Sequence, residues 1–337
     1  MLRSGLILFI AGLILTTTCY VYAAAKNIDI YGDASSKAQY VSYIETLSEI
    51  LLRSPEANKN LSDDPDAPYF TSVDITSQVG KVNVKYTDGD TRIEYSDVDV
   101  NNLSCVIVGD TLKISEIRPV SFMGLSVKND GFAFDGLRQI FKKRSSVNTD
   151  RTVTLYLNSS INVETLKVRA NVGDVLVEGV SASEISVNVS WGSAAVKGCS
   201  AGGGSIKMNC DVADIVFENN MYSMCSVSVI KGDISAIIDS MKSNFETTLG
   251  SVSVVTKKDL SVYTIRMSTN SGKVKVDGEA SKDTEYNQSG SSDSVWIKAG
   301  FGNLSLSSEA HAGGSPETAP PETGSVPETD DVVFPED

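Results

Sequence analysis

The stretch NVGDVLVEG (residues 171–179) decides the fold, because its pattern recurs as IKGDISAII (residues 230–238) and NSGKVKVDG (residues 270–278). Each copy sets a turn glycine ahead of small or apolar residues two and four positions later. Gly173 precedes Val175 and Val177, Gly192 precedes Ala194 and Val196, and Gly232 precedes Ile234 and Ala236. Gly250, Gly272 and Gly302 obey the same rule, and Ala213 replaces the glycine ahead of Ile215 and Phe217. Three, five and seven residues before the turn the apolar positions repeat, as in Ala170, Val168 and Leu166, then Val189, Val187 and Ile185. Successive turns lie 19, 21, 19, 18, 22 and 30 residues apart. A period near twenty is the mark of a solenoid.

Alternation of period two puts every second side chain on one face of a strand. Each repeat therefore supplies two short strands, and neither buries its apolar face until repeats stack. The sequence predicts an all-β chain: a parallel, β-helix-like solenoid of about 20-residue, two-strand repeats, with an N-terminal helix. Gly80, Gly173, Gly192, Gly232, Gly250, Gly272 and Gly302 are its structural turn residues. Asp174, Asp214 and Asp233 follow turns, where a short carboxylate can accept bonds from nearby amides. Lys167, Arg169, Ser186, Asn188, Lys207, Asn209, Ser226 and Ser228 fall on the outward face.

Around this repeat the chain divides into unlike parts. Residues 6–25 are an apolar run of bilayer-spanning length, preceded by Arg3, and read as a membrane anchor or as a signal peptide with a cleavage site near Ala23. The segment 1–25 is assigned to that role and 26–67 to an amphipathic helix and linker. Tyr40, Val41, Ile44, Leu47 and Leu51 form an apolar stripe, which predicts a helix over 35–53 that caps the first rung. Val73, Ile75 and Ser77, then Gly80, Val82 and Val84, already match the repeat. Asp88-Gly89 and Gly109-Asp110 read as hairpin turns. The solenoid is placed at 68–308, with an insertion near 122–150 read as a loop and short helix carrying Leu137, Ile140 and Phe141 inward. From residue 309 to 337 an acidic Pro/Glu/Thr-rich stretch without lysine or arginine reads as a disordered tail.

The inventory of reactive groups is sparse. The formal net charge of −14 argues against nucleic-acid binding. His311, the only histidine, lies in the tail, which removes Ser-His-Asp, Cys-His and histidine-metal arrangements. Cys210 and Cys225 sit four residues out of step on adjacent repeats, roughly 13 Å apart along the strand, too far for a disulfide. Cys199 falls seven past its turn, in a loop. No catalytic residue and no cofactor is predicted. Asp214 and Asp233 occupy equivalent places on consecutive repeats and are weak candidates for a shared Ca²⁺, against a turn-capping role. The glycine-rich residues 201–205 lack the lysine and helix of a phosphate loop. Trp191, Trp296, Tyr263, Tyr286 and Phe301 are candidates for a sugar-binding surface, against scattered core or rim aromatics. Lys142, Lys143 and Arg144 form one basic cluster, read as a helix end or as a contact for a phospholipid or acidic polymer.

DTLKISE (residues 110–116), VTLYL (residues 153–157) and the successive strand–Gly-Asp–strand units resemble a bacterial adhesin-like family of β-strand repeat domains of unknown function, the toast-rack type. That family places Ser or Thr before a Gly-Asp turn. Gly173-Asp174 and Gly232-Asp233 keep the turn, whereas Trp191-Gly192-Ser193 and Val212-Ala213-Asp214 depart from it. The resemblance spans residues 72–307 and implies a cell-surface protein with no catalytic residues to transfer. The expected function is a non-enzymatic, extracytoplasmic, membrane-attached scaffold with a protein or glycan partner. The alternatives are a sensor ectodomain and a carbohydrate-active parallel β-helix enzyme.

Overall fold

The computed structural model describes residues 40–54, 70–116, 120–122, 125–128, 131–134, 151–239, 242–290 and 293–309. The expectations for residues 1–39, for the linker, for residues 135–150 and for the tail beyond 309 lie outside them. The protein is nearly all β, a β-solenoid-like stack of two ladders that meet at the glycine corner.

The first described element corrects the sequence. Instead of a helix over 35–53, β1 (Tyr40–Thr46) is followed by a seven-residue helix, α1 (Leu47–Arg53). Ile44, expected on the inward stripe, is 59% exposed, while Glu45 and Ile50 are buried. The residues of β1 are mostly aromatic, β-branched or hydroxylic, which suit a strand. Thr46 and Glu49 form a capping box that starts α1 where the strand stops.

The first rung is β2 (Ser72–Val79) and β3 (Lys81–Thr87), joined at Gly80. Then come β4 (Arg92–Asp99), β5 (Leu103–Val108) and β6 (Thr111–Glu116). Gly109-Asp110 closes an antiparallel β5–β6 hairpin. Asp88-Gly89 does not make a hairpin, because β10 (Thr152–Asn158) lies between β3 and β4 and pairs with both. In the insertion, β7 (Val120–Phe122), β8 (Leu125–Lys128) and β9 (Gly131–Phe134) form an antiparallel meander, where a loop was expected.

The regular rungs follow. β11 (Val163–Glu178), β12 (Ala182–Lys197) and β13 (Ser205–Glu218) each run through the corner as one bent strand. Later rungs are split there: β14 (Met224–Lys231) with β15 (Ile234–Ile238), and β16 (Lys242–Leu249) with β17 (Val252–Thr256). β18 (Tyr263–Ser271) and β19 (Val274–Val276) make another, followed by β20 (Glu279–Ala280) and β21 (Glu285–Gln288). β22 (Asp293–Phe301) and β23 (Leu304–Ser308) complete the chain.

Rungs pair in parallel with equivalent residues opposite one another. Leu166, Ile185 and Ile206 are neighbours, as are Gly173, Gly192 and Ala213. The first rung stacks directly on β11 despite the intervening chain, with Ile75 opposite Val168 and Val82 opposite Val175. At the far end the order in space departs from the order in the chain. β16 and β17 pair with β22 and β23, and β18 and β19 lie beyond them. The 30-residue spacing before Gly302 contains the excursion that makes this exchange possible.

Inside the stack, Val168, Val187, Met208, Val227, Phe245, Ile297 and Met267 line up as one buried ladder. Phe217 packs edge-on against Phe245, ring centres 6.0 Å apart, and fills the space beside Ala236. Asn188 and Ser228 lie half-buried on the opposite face from Val187 and Val229. Burying a valine in this way is worth about 1.5–3 kcal/mol.

Both ends of the stack turn antiparallel. β6 pairs with β5, and β10 with β4 and then β1, while β18 and β19 are covered by β21 and β20. An exposed parallel edge would offer unpaired amides to another chain, and the antiparallel strands occupy that edge.

Candidate functional site

The turn glycines gather into one line. Gly80, Gly173, Gly192, Gly232, Gly250, Gly272 and Gly302 have φ between 120° and 157°. Their carbonyls point along the stack. A β-carbon on Gly192 would overlap the carbonyl oxygen of Gly173, so the corner admits no side chain there at the observed approach. Inward threonines close the remaining bonds: the Thr247 hydroxyl donates to the Gly232 oxygen at 3.1 Å, and that of Thr269 to Gly302 at 3.0 Å.

One residue past each glycine runs a polar ladder. The Ser193 hydroxyl donates to Asp174 at 2.7 Å, the Asp233 amide to Asp214 at 3.0 Å, and the Ser251 amide to Asp233 at 2.7 Å. Asn303 accepts from the Lys273 amide at 3.0 Å. Asp214 and Asp233 thus each tie one carboxylate oxygen to the next rung. Among the described residues no group of three His, Cys, Asp or Glu side chains gathers around a common point.

One residue before the turn runs a mostly apolar ladder that the alternation rule does not announce, interrupted by Lys231 and ended by Ser271. Its parity matches the buried positions, but the backbone is already leaving the strand. Val79 and Val172 are buried in this place, whereas Trp191, Val212, Leu249 and Phe301 are exposed. Lys231 stands between Val212 and Leu249, with Ile230 exposed beside it. Of these, the sequence reading singled out only Trp191 and Phe301. A signal existed in the recurrence of large apolar residues directly before the turn.

The other aromatic candidates are dispersed. Trp296 projects from the outward sheet face, 5.3 Å from the Arg266 guanidinium carbon. Tyr286 is half-buried, and Tyr263 is fully buried with a hydroxyl that meets no hydrogen-bond partner among the described residues. Burial, reinforced by Asp293 and Asp239, pushes that hydroxyl up to about 12. The five aromatics therefore do not share one surface.

Two buried polar groups mark the first end of the stack. Glu116, closing β6, pairs with Arg151, just before β10, and both are buried. Burial pushes the Glu116 carboxyl up, while Arg151 and the Gln78 amide pull it down. This pair pins the base of the excursion between residues 117 and 150. Glu45, also buried, pairs with Arg53 and accepts from the Tyr95 hydroxyl at 3.1 Å. Cys105, Cys199, Cys210 and Cys225 are free and buried, and burial raises each thiol to about 11. Cys210 lies opposite Val229, and Cys225 opposite Ile206.

The Toastrack DUF4097 profile matches residues 133–306, just over half of the 337-residue chain. The chain belongs to the Toastrack DUF4097 family. No curated protein matches this toast-rack chain. Among solved structures it is similar to a provisionally named cell adhesion protein from Clostridium sporogenes, at 13% identity and a TM-score of 0.32, covering 80% of this chain and 100% of that one. A provisionally named adhesin from Bacteroides fragilis gives 12% identity and a TM-score of 0.35, covering 81% and 98%. Likeness at these scores decides nothing about the role of this toast-rack protein.

Proposed function

We propose that the chain is a non-enzymatic, extracytoplasmic, membrane-attached scaffold that presents a stacked β surface to a protein or glycan partner. The observation that carries this reading is the in-register pairing of Gly173, Gly192 and Ala213, continued through Gly232 and Gly250. It supports a parallel solenoid of about 20-residue, two-strand repeats filling residues 68–308. A rigid stack of this kind holds side chains at roughly 4.8 Å intervals along a line, which suits display. Outward positions are polar, with Lys167 and Lys207 exposed and Asn188 and Ser228 half-buried. Residues 6–25 supply the attachment, as an uncleaved anchor or, if cleaved, as the export signal. Among the described residues no helix is long and apolar enough to cross a membrane, and residues 6–25 are not among them. Adding protease outside intact cells tests the placement. Digestion of the solenoid supports it, and full protection until lysis ends it.

A further inference from the structure

The scaffold reading leaves open which part of the surface meets a partner. Trp191, Val212, Leu249 and Phe301 share one ladder position, through Trp191 opposite Val212, Val212 opposite Lys231, Lys231 opposite Leu249, and Leu249 opposite Phe301. They are 46%, 41%, 45% and 58% exposed, and Lys231 interrupts them on the middle rung. Stacking does not need them, because the core is built from other positions. The same ladder position is covered at the first two rungs, where Val79 and Val172 are buried. The strip is therefore bare only from Trp191 onward. Singly exposed apolar residues are ordinary, but four of them aligned on one ladder position, parted only by Lys231, mark an interaction surface.

Charge borders this line. Asp211, Asp214 and Asp233 are exposed beside its second and third rungs, with Asp174 one rung before the first; Ser251 and Asn303 flank Leu249 and Phe301, and Lys231 is the single base on the ladder itself from Trp191 to Phe301. Bonds from the next rung hold the carboxylates of Asp174, Asp214 and Asp233 in place. Four rung steps give the strip a length of roughly 19 Å at about 4.8 Å each. An α-helix of about 13 residues has that length, and its apolar residues return every 5.4 Å or so, close to the rung spacing.

We infer that this acid-bordered apolar corner is a docking surface for a cationic amphipathic helix of a partner protein. Leucine-like side chains of the helix lie along Trp191, Val212, Leu249 and Phe301, and flanking Lys or Arg residues face the aspartates. An anionic lipid surface is disfavoured by the same carboxylates. The inference rests on the scaffold reading for its accessibility to partners, and not for its chemistry.

Trp191 supplies the readout, since the chain has two tryptophans and Trp296→Phe leaves Trp191 alone. The full-length chain in non-ionic detergent is titrated with a synthetic 14-residue helix-forming peptide of leucine and lysine, its leucines at helical spacing. A saturable blue shift of Trp191 is expected, with affinity falling about tenfold or more in Phe301→Ser or Leu249→Ser. Asp211→Asn with Asp214→Asn should weaken binding about fivefold at low salt and much less in 1 M salt. Equal binding by the Phe301→Ser chain overturns the proposal, as does equal binding of a leucine–glutamate peptide. A blue shift on reconstitution into phosphatidylcholine vesicles without peptide also overturns it and makes the strip a lipid contact. A shift that depends only on protein concentration overturns it in favour of a second copy of the chain. A cytoplasmic result in the protease experiment would end the placement while leaving this titration to stand or fall alone.

Discussion

The middle of the stack and its ends are built by different rules. Between β11 and β13 each residue meets its own equivalent on the next rung, so a single repeat template specifies both strand position and partner. At the ends, β1, β4 and β5 pair antiparallel with strands of unrelated sequence. No repeat announces those pairings. The comparison teaches that a period reveals stacking wherever neighbours are copies, and fails where a strand's neighbour is not a copy.

The largest effect should come from the middle. Val187→Asp places an unpaired carboxylate inside the dry ladder between Val168 and Met208, at a cost of several kcal/mol. Asn188→Asp, one residue away on the outward face, should change stability by about 0.5 kcal/mol or less. Thermal midpoints of the two variants check this, because a one-residue slip would exchange their faces. Equal losses would break the contrast between core and surface.

At the first end, Glu116→Gln should cost about 3–5 kcal/mol, because it leaves Arg151 buried without its counter-charge. Replacing both residues with methionine should be close to neutral or cost less than the single change. Denaturant midpoints of the three proteins separate these outcomes. If the double variant is the least stable, the ion pair holds the cap together in a way that apolar packing cannot replace.

The smallest effect concerns the thiols. Burial holds Cys105, Cys199, Cys210 and Cys225 near 11, so at neutral pH they are protonated and shielded. None of the four should react with a thiol reagent until the chain is unfolded, at the end rung carrying Cys105 or in the middle alike. Mass spectrometry after brief labelling would show it. Fast labelling of Cys105 alone would mean the cap opens before the stack does.

Much of the stack was legible because strand alternation and turn glycines carry it in every copy. Val187 and Asn188 could be assigned to faces from the offset to Gly192 alone. The helix over 35–53 was misread because Tyr40, Ile44, Leu47 and Leu51 recur at helical intervals, while the strand's true partner, β4, lies some fifty residues away. The buried Glu45 is explained only by Arg53 and Tyr95, which the stripe ignored. The order of the last two rungs was hidden for another reason: both are good copies, and the template cannot say which of them meets β16. The exposed corner was partly legible through Trp191 and Phe301. Val212 and Leu249 escaped because their parity matches buried positions, and only the bend at the turn releases them to solvent.

The most direct test of the account is the order of rungs in space. Ser253 and Ser305 are directly opposite in parallel register, their hydroxyls 3.0 Å apart, while Lys275 lies one rung beyond Ser305. Adjacent rungs stand about 4.8 Å apart and alternate ones roughly 9.6 Å, and a disulfide needs α-carbons within about 7 Å. Ser253→Cys combined with Ser305→Cys should cross-link under mild oxidation, and Ser253→Cys combined with Lys275→Cys should not. Cross-linking of the second pair and not the first would show that the rungs follow chain order, and would contradict the fold described here.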